Sequence, residues 1–324
     1  MKTLYLNNAA TSYPKPPHVK EALDRFLLSP PVTPGRAGFS AKGGDMVSQC
    51  RKRLARFLNA RNPDDVCFTS GATESLNLAI LGLNLDGGKV VTTTLEHNSV
   101  IRPLKQLEKE GRISLTFVPA TSNGTLDNEA LLSAVDETTR LVVLNHASNV
   151  VPSVTDIDSL VPAIRQKGVR VLIDASQSAG ILPLDIGRLR PDLVALTGHK
   201  GLFGLPGIGA LYIAPDLALK PLKTGGTGIR SNLLYQPEER PLHYEAGTPN
   251  LPGIAALDAG LRFIEEEGRE RLFARKQAIF VRLRDILREL PGVILYGNGL
   301  SETGNAVLSF NFQGQDPDDV RYIL

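Results

Sequence analysis

A chain of 324 residues, 42% of them hydrophobic, has the length for one large domain plus a smaller one and ample material for a core. A net charge of +2 without blocks of like charge argues against nucleic acid or an anionic membrane as partner. No run approaches the ~20 apolar residues of a membrane span and the first residues lack the apolar core of a signal peptide, so a cytoplasmic protein acting on small molecules is expected.

Behind Pro16 and Pro17, His18 to Leu28 has helical spacing. Residues 30–44, rich in proline and glycine, read as a loop, Met46 to Leu58 as a basic amphipathic helix, and Val66 to Thr69 as a first core strand. Strands and helices then alternate. Strands are predicted at 89–93, 115–118, 140–145, 169–174, 193–196 and 210–213, with helices at 74–83, 100–110, 128–135 and 157–167 between the earlier ones. Such alternation implies an α/β fold, with a mostly parallel seven-stranded sheet covered on both faces. Residues 214–252 turn to proline, glycine and polar side chains, which suits a functional loop region or a domain junction. Helices at 254–267 and 269–290, strands at 293–296 and 306–312, and a helix opening at Asp316 make a smaller α+β unit. The predicted division is a large domain over 15–250 and a small one from 1–14 and 251–324. Cys50 and Cys67, the two cysteines of the sequence, belong to no CxxC or metal-type cluster and read as packing residues.

The chemistry centres on Lys200, which follows the apolar strand at 193–196. An ammonium at a partly buried strand end is desolvated, which lowers its pKa and frees the amine to attack a carbonyl, as Schiff-base chemistry requires. Gly201, Gly204, Gly207 and Gly209 follow, and they suggest backbone turning tightly against a flat ligand. Asp174 closes the preceding strand at the same sheet edge, where a carboxylate can keep a ring nitrogen protonated, the partner that pyridoxal phosphate needs. Gly71-Ala72-Thr73-Glu74, between a strand and a helix, offers backbone N–H groups and the Thr73 hydroxyl to a phosphate. His97 is expected to close the strand VVTTTLEHN, placed to stack on a flat ring and pass protons. Gln177 and Asn149 stand within reach of the same cofactor, and His199 reads as a phosphate or backbone contact.

Taken together, YLNNAAT (5–11), TSGATES (69–75), LEHNS (95–99), SNVVP (148–152), IDASQSAG (173–180), TGHKGLFGLPGIGAL (197–211) and YEAGTPNLPGIAAL (244–257) resemble the class V aminotransferases. Within them, the resemblance is to the cysteine desulfurase and selenocysteine lyase branch. It implies the fold type I of pyridoxal-phosphate enzymes, with Lys200 bonded to the cofactor, Asp174 paired with the pyridinium nitrogen, and His97 stacked on the ring and assisting proton transfer. By the same resemblance, Gln177 and Asn149 contact the phenolic oxygen side. Ala72, Thr73, Thr197 and His199 hold the phosphate, and Thr248 arrives from a second subunit, so a homodimer with shared active sites is expected. The implied substrate is L-cysteine or a close analogue, and the products are L-alanine and a persulfide on a catalytic cysteine, which a sulfur-acceptor protein would then discharge.

The chain departs from that pattern in having no cysteine after Cys67. It stops at Leu324, about two turns into a helix for which Asp316 is a good N-cap and Pro317 a good first residue. The reading is a C-terminal truncation that removes the sulfur-accepting cysteine and a carboxylate-binding arginine. Two alternatives stay open. One is a class V aminotransferase, epimerase or lyase that never used a cysteine nucleophile, and the other a catalytically silent cofactor-binding partner in a sulfur relay.

Overall fold

Strands β1 (Val66–Thr69), β2 (Gly88–Thr93), β3 (Ile113–Val118), β4 (Thr139–Asn145), β5 (Arg170–Asp174), β6 (Leu193–Thr197) and β7 (Gly209–Ile213) form one sheet in the order β1-β7-β6-β5-β4-β2-β3. The computed structural model describes residues 4–29, 45–121, 123–230, 232–297 and 304–323. The predicted loop at 30–44 lies outside them. Strands β2 to β6 pair in parallel, and β7 runs antiparallel to both of its neighbours, β6 and β1. β1, β6 and β7 are buried at every position, which is why they read as continuous apolar runs rather than alternating ones.

Of helices α1 (Pro17–Leu28), α2 (Met46–Phe57), α3 (Ala72–Gly82), α4 (Asn98–Lys109), α5 (Asn128–Ala134), α6 (Ile157–Gln166) and α7 (Ile186–Leu189), α2 to α6 pack against this sheet. Side-chain caps start many of them: Asp45, Asp127, Asp156 and Asp185 each accept a backbone N–H from the first turn that follows. α3, like α1, has no side-chain cap among the described residues, and Gly71 precedes its first turn. Its apolar residues Leu76, Leu78, Ala79 and Ile80 are all buried, which anchors the helix to the sheet and fixes where that open N-terminus points.

Helix α8 (Leu251–Glu267) begins three residues before the predicted start. Asn250 caps it by accepting from Gly253 N–H, and Pro252 falls in the first turn, where its missing N–H costs nothing. Although the sequence places this helix in the smaller unit, Leu251, Ile254, Leu257, Leu261 and Ile264 join the main core. Its Ala256 and Ala259 pack with Val19 and Ala22 of α1. α9 (Arg269–Glu289), the antiparallel pair β8 (Val293–Tyr296) and β9 (Ser309–Phe312), and α10 (Pro317–Ile323) complete the chain. β9 is shorter than the predicted strand at 306–312, because Ala306 takes a left-handed backbone (φ +56°) that a strand cannot accommodate. Among the described residues no helix is long and apolar enough to cross a membrane.

Candidate cofactor site

The carboxyl ends of β4, β5 and β6, the first turn of α3 and the loop after β2 meet at a cavity of about 440 Å³, in the crevice where open α/β sheets place ligands. Register explains the convergence: Asn145 lies opposite Asp174, and Asp174 opposite Ala195, two residues before the end of β6. Ala72, Thr73, His97, Asn149, Asp174, Gln177, Thr197, His199 and Lys200 all line this cavity. Thr248 does not; it lies in an adjoining cavity of about 550 Å³ that shares Ser70, Glu74 and Gly207 with the first.

Lys200 is partly buried, and its amine makes no ion pair among the described residues. Burial pushes it below the usual lysine range, with the charge of Asp174 pulling the other way. Asp174 is 4% exposed, and its Oδ1 accepts the Ser176 N–H at 2.9 Å and the Ser176 hydroxyl. That turn aims the carboxylate and leaves the group on the cavity wall. Thr197, 5% exposed, ends β6 beside the first turn of α3.

His97 sits four residues past the end of β2 rather than closing the strand, because the chain turns at Thr94 to His97. It caps α4: Nδ1 accepts the Ser99 N–H at 3.1 Å, so the ring proton is assigned to Nε2. The Ser99 hydroxyl bonds Nδ1 at 3.0 Å and the Thr73 hydroxyl at 2.8 Å, linking the starts of α4 and α3. Thr73 therefore offers its backbone N–H more directly than its hydroxyl. One amide N–H of Gln177 is already used by the Ala9 carbonyl at 2.8 Å.

His199 is held neutral: desolvation, helped by the nearby cations Lys200 and Lys15, drives its pKa down to about 4. Its Nδ1 is buried with no partner among the described residues. Its carbonyl oxygen, by contrast, is crowded, accepting from Ser12 N–H, the hydroxyls of Thr11 and Ser12, and the ammonium of Lys15. This contact draws the N-terminal segment across the cavity, where Ala9 and Ala10 form part of the wall.

The glycines after Lys200 do something other than expected. A Cβ on Gly201 would lie 2.4 Å from the Ala179 carbonyl, one on Gly204 3.1 Å from the Gly198 carbonyl, and one on Gly209 2.6 Å from Gly71 Cα. They let backbone pack on backbone within the protein, and of the four only Gly207 reaches the cavity. Among the functional positions not foreseen, Ala9, Ala10 and Ser176 lie inside motifs already singled out. Lys15 and Glu96 carried no separate signal, since their burial is a tertiary property.

These residues fit pyridoxal phosphate on physical grounds. The uncapped N–H groups and dipole of α3 suit a phosphate, His199 and Thr197 line the same cavity, and Asp174 and the unpaired amine of Lys200 face it too. The chain matches the family model of class-V aminotransferases over residues 4–324. A protein of Pyrococcus abyssi named probable cysteine desulfurase is 34% identical, with 100% of this chain and 82% of that protein covered. The cysteine desulfurase of Salmonella agona is 30% identical, over 99% of this chain and 80% of the other. Among solved structures, the apo cysteine desulfurase from Thermococcus onnurineus superposes with a TM-score of 0.87 at 32% identity, covering 99% of this chain and 81% of its own. The cysteine desulfurase CsdA from Escherichia coli gives 0.84 at 25% identity, with coverage of 97% and 80%.

The chain therefore belongs to the class V aminotransferase family and has the type I fold of pyridoxal-phosphate enzymes. Its cofactor is accordingly pyridoxal 5'-phosphate, and its relatives are named cysteine desulfurases.

Proposed function

We propose that this chain performs the cofactor-dependent half of cysteine desulfuration: L-cysteine is converted to L-alanine while its sulfur passes to a thiol that these 324 residues do not supply. The observation that carries the reading is the shared wall of Lys200, Asp174 and the open α3 N-terminus, together with relatives named for that reaction. Bound there, pyridoxal phosphate supplies an electron sink for bonds at the substrate's α carbon.

In this reading Lys200 would hold the cofactor, and its amine would move the substrate's α proton. Asp174 keeps the ring nitrogen protonated, while His97, with its proton on Nε2, stacks over the ring and serves proton transfer. Ala72, Thr73, Thr197 and His199 hold the phosphate, and neutral His199 does so as a hydrogen-bonding group rather than a cation. Gln177 and Asn149 stand on the phenolic oxygen side. The sulfur step balances without an oxidant: the Cβ–Sγ bond of cysteine breaks, sulfur joins an acceptor thiolate as a persulfide, and Cβ gains a proton.

Cys50 and Cys67 are poor acceptors. Each is at most 1% exposed and neither lines the cavity. Burial pushes the Cys67 thiol up to about 12 and Cys50 higher still, where thiolate is scarce. A homodimer in which Thr248 reaches the partner's site belongs to this reading, and the exposure of Leu233, Leu234 and Tyr235, at 49%, 95% and 87% in the segment before it, supports it.

The test supplies L-cysteine and an external dithiol and measures alanine. Alanine formation that depends on the added thiol and survives Cys50→Ala and Cys67→Ala is expected. Abolition by either substitution would overturn the assignment of the acceptor. The absence of a cavity cysteine also favours a second reading, a class V enzyme without a sulfur nucleophile. That reading gains if a keto acid accumulates instead of alanine.

A further inference from the structure

Next to His97 the sequence places a second acid, Glu96, which the reaction as derived above does not use. It is 7% exposed. Its Oε1 accepts from the Thr93 hydroxyl and from the Asn145 N–H, each at 2.9 Å, while Oε2 is buried with no partner among the described residues. No cation acts on it; Asp174 on β5 is the charged group that does, and it is of like sign. The titratable residues next in sequence to these contacts are His97, after Glu96, and His146, after Asn145, the latter held neutral by burial. An unpaired carboxylate in such a place is strongly disfavoured, and a neutral carboxylic acid much less so. Since Asn145 N–H can only donate to Oε1, the proton belongs on Oε2.

The same contacts tie the turn to the sheet. Asn145 Nδ2 donates to the Leu95 carbonyl at 2.8 Å, and the Thr93 hydroxyl accepts the Leu95 N–H at 3.1 Å. Asn145 lies opposite Asp174 in the sheet register. Glu96 and Asn145 together therefore connect the residue preceding His97 to the strand that neighbours Asp174.

We propose that Glu96 is a positioning residue: as a neutral carboxylic acid it clamps the turn carrying His97 onto β4, holding His97 in place against Asp174 without adding a second negative charge beside it. The inference rests on the cavity being the pyridoxal-phosphate site. Burial, with Asp174 adding to it, holds the Glu96 carboxyl up to about 8, far above an unfolded glutamate. The folded state thus keeps a proton that the unfolded state releases, so this group costs stability progressively as pH rises from the ordinary glutamate range towards about 8.

Two measurements on purified protein separate this role from generic packing. The first needs no cofactor: thermal melts of wild type, Glu96→Gln and Glu96→Ala at about pH 5 and about pH 9. Glu96→Gln should match wild type at the acid end and melt several degrees higher at the alkaline end, because a glutamine keeps the Oε1 contacts and never ionises. A Glu96→Gln protein that melts below wild type at alkaline pH would overturn the proposal, since it would show that the charged form is the stabilising one. The second titrates pyridoxal phosphate at the same two pH values. Glu96→Ala should bind about tenfold more weakly than wild type near neutrality, with Glu96→Gln restoring the affinity. Wild type should lose more affinity at alkaline pH than Glu96→Gln does. Equal affinities for all three proteins would sink the positioning role. Absence of binding by wild type would overturn the cofactor-site reading instead, and with it the role assigned here, while the melts still report whether Glu96 is neutral.

Discussion

The ammonium of Lys15 donates to the carbonyl oxygen of His199 at 2.9 Å, on the peptide that leads directly into Lys200. It also donates to the Ser12 hydroxyl at 2.8 Å. The contact spans most of the chain and joins the N-terminal segment lining the cavity to the backbone that leads into Lys200.

Lys15→Met should therefore act on both ends of that link. A hydrogen bond to a charged group contributes about 1.5–3 kcal/mol, and Lys15 is only partly buried, so the lower figure applies. Urea unfolding should show a loss of that size together with weaker pyridoxal-phosphate binding. Unchanged stability and affinity would mean that the other donors to the His199 carbonyl suffice.

The peptide on the far side of Lys200 is held by close backbone packing. Gly180 has φ +88°, and a Cβ there would lie 2.2 Å from the Gly201 carbonyl oxygen. Gly180→Ala and Gly201→Ala should each cost about 3 kcal/mol or more, because the obstacle is backbone that cannot swing away. Gly226→Ala, where a Cβ meets nothing within 4 Å, is the control and should leave the melting temperature unchanged. A mild effect at Gly180 would show that the loop can separate from Gly201.

His146 sets an acid limit. It is 4% exposed, its Nδ1 has no partner among the described residues, and burial drives its pKa down to about 4. The unfolded chain, with an ordinary histidine near ~6.5, binds a proton that the folded chain refuses, so stability falls as pH drops through that window. The penalty at the acid end is at most about 3 kcal/mol. His146→Asn should flatten this part of the stability profile between about pH 6.5 and about pH 4. A profile as steep as that of wild type would place the acid sensitivity elsewhere.

Much of this site was legible before the structure because strand ends speak clearly in a doubly covered sheet. The runs ending in Asp174 and Thr197 are continuous and apolar, so a charged or polar residue following them stands out, and Lys200 inherits its position from the second of them. Residues whose meaning depends on burial were not legible. Glu96 in LEHNS reads as an exposed turn glutamate until β4 covers it, and Lys15 as a surface lysine until His199 arrives from a distant part of the chain. The glycines after Lys200 were expected to turn against a flat ligand, but Gly201, Gly204 and Gly209 pack on Ala179, Gly198 and Gly71, and only Gly207 of the four lines the cavity. Helix starts were read late at α3 and α8, where Gly71 and Pro252 look like loop residues although one precedes and the other occupies the first turn.

The claim on which everything else depends is that Lys200 is the residue that holds pyridoxal phosphate. Borohydride reduction of the cofactor-loaded protein, followed by peptide mass mapping, tests it most directly. The label should fall on Lys200 and vanish with Lys200→Ala, whose fold should survive because the side chain makes no ion pair among the described residues. A label recovered on Lys15, Lys276 or any other lysine, or persisting undiminished in Lys200→Ala, would contradict the account.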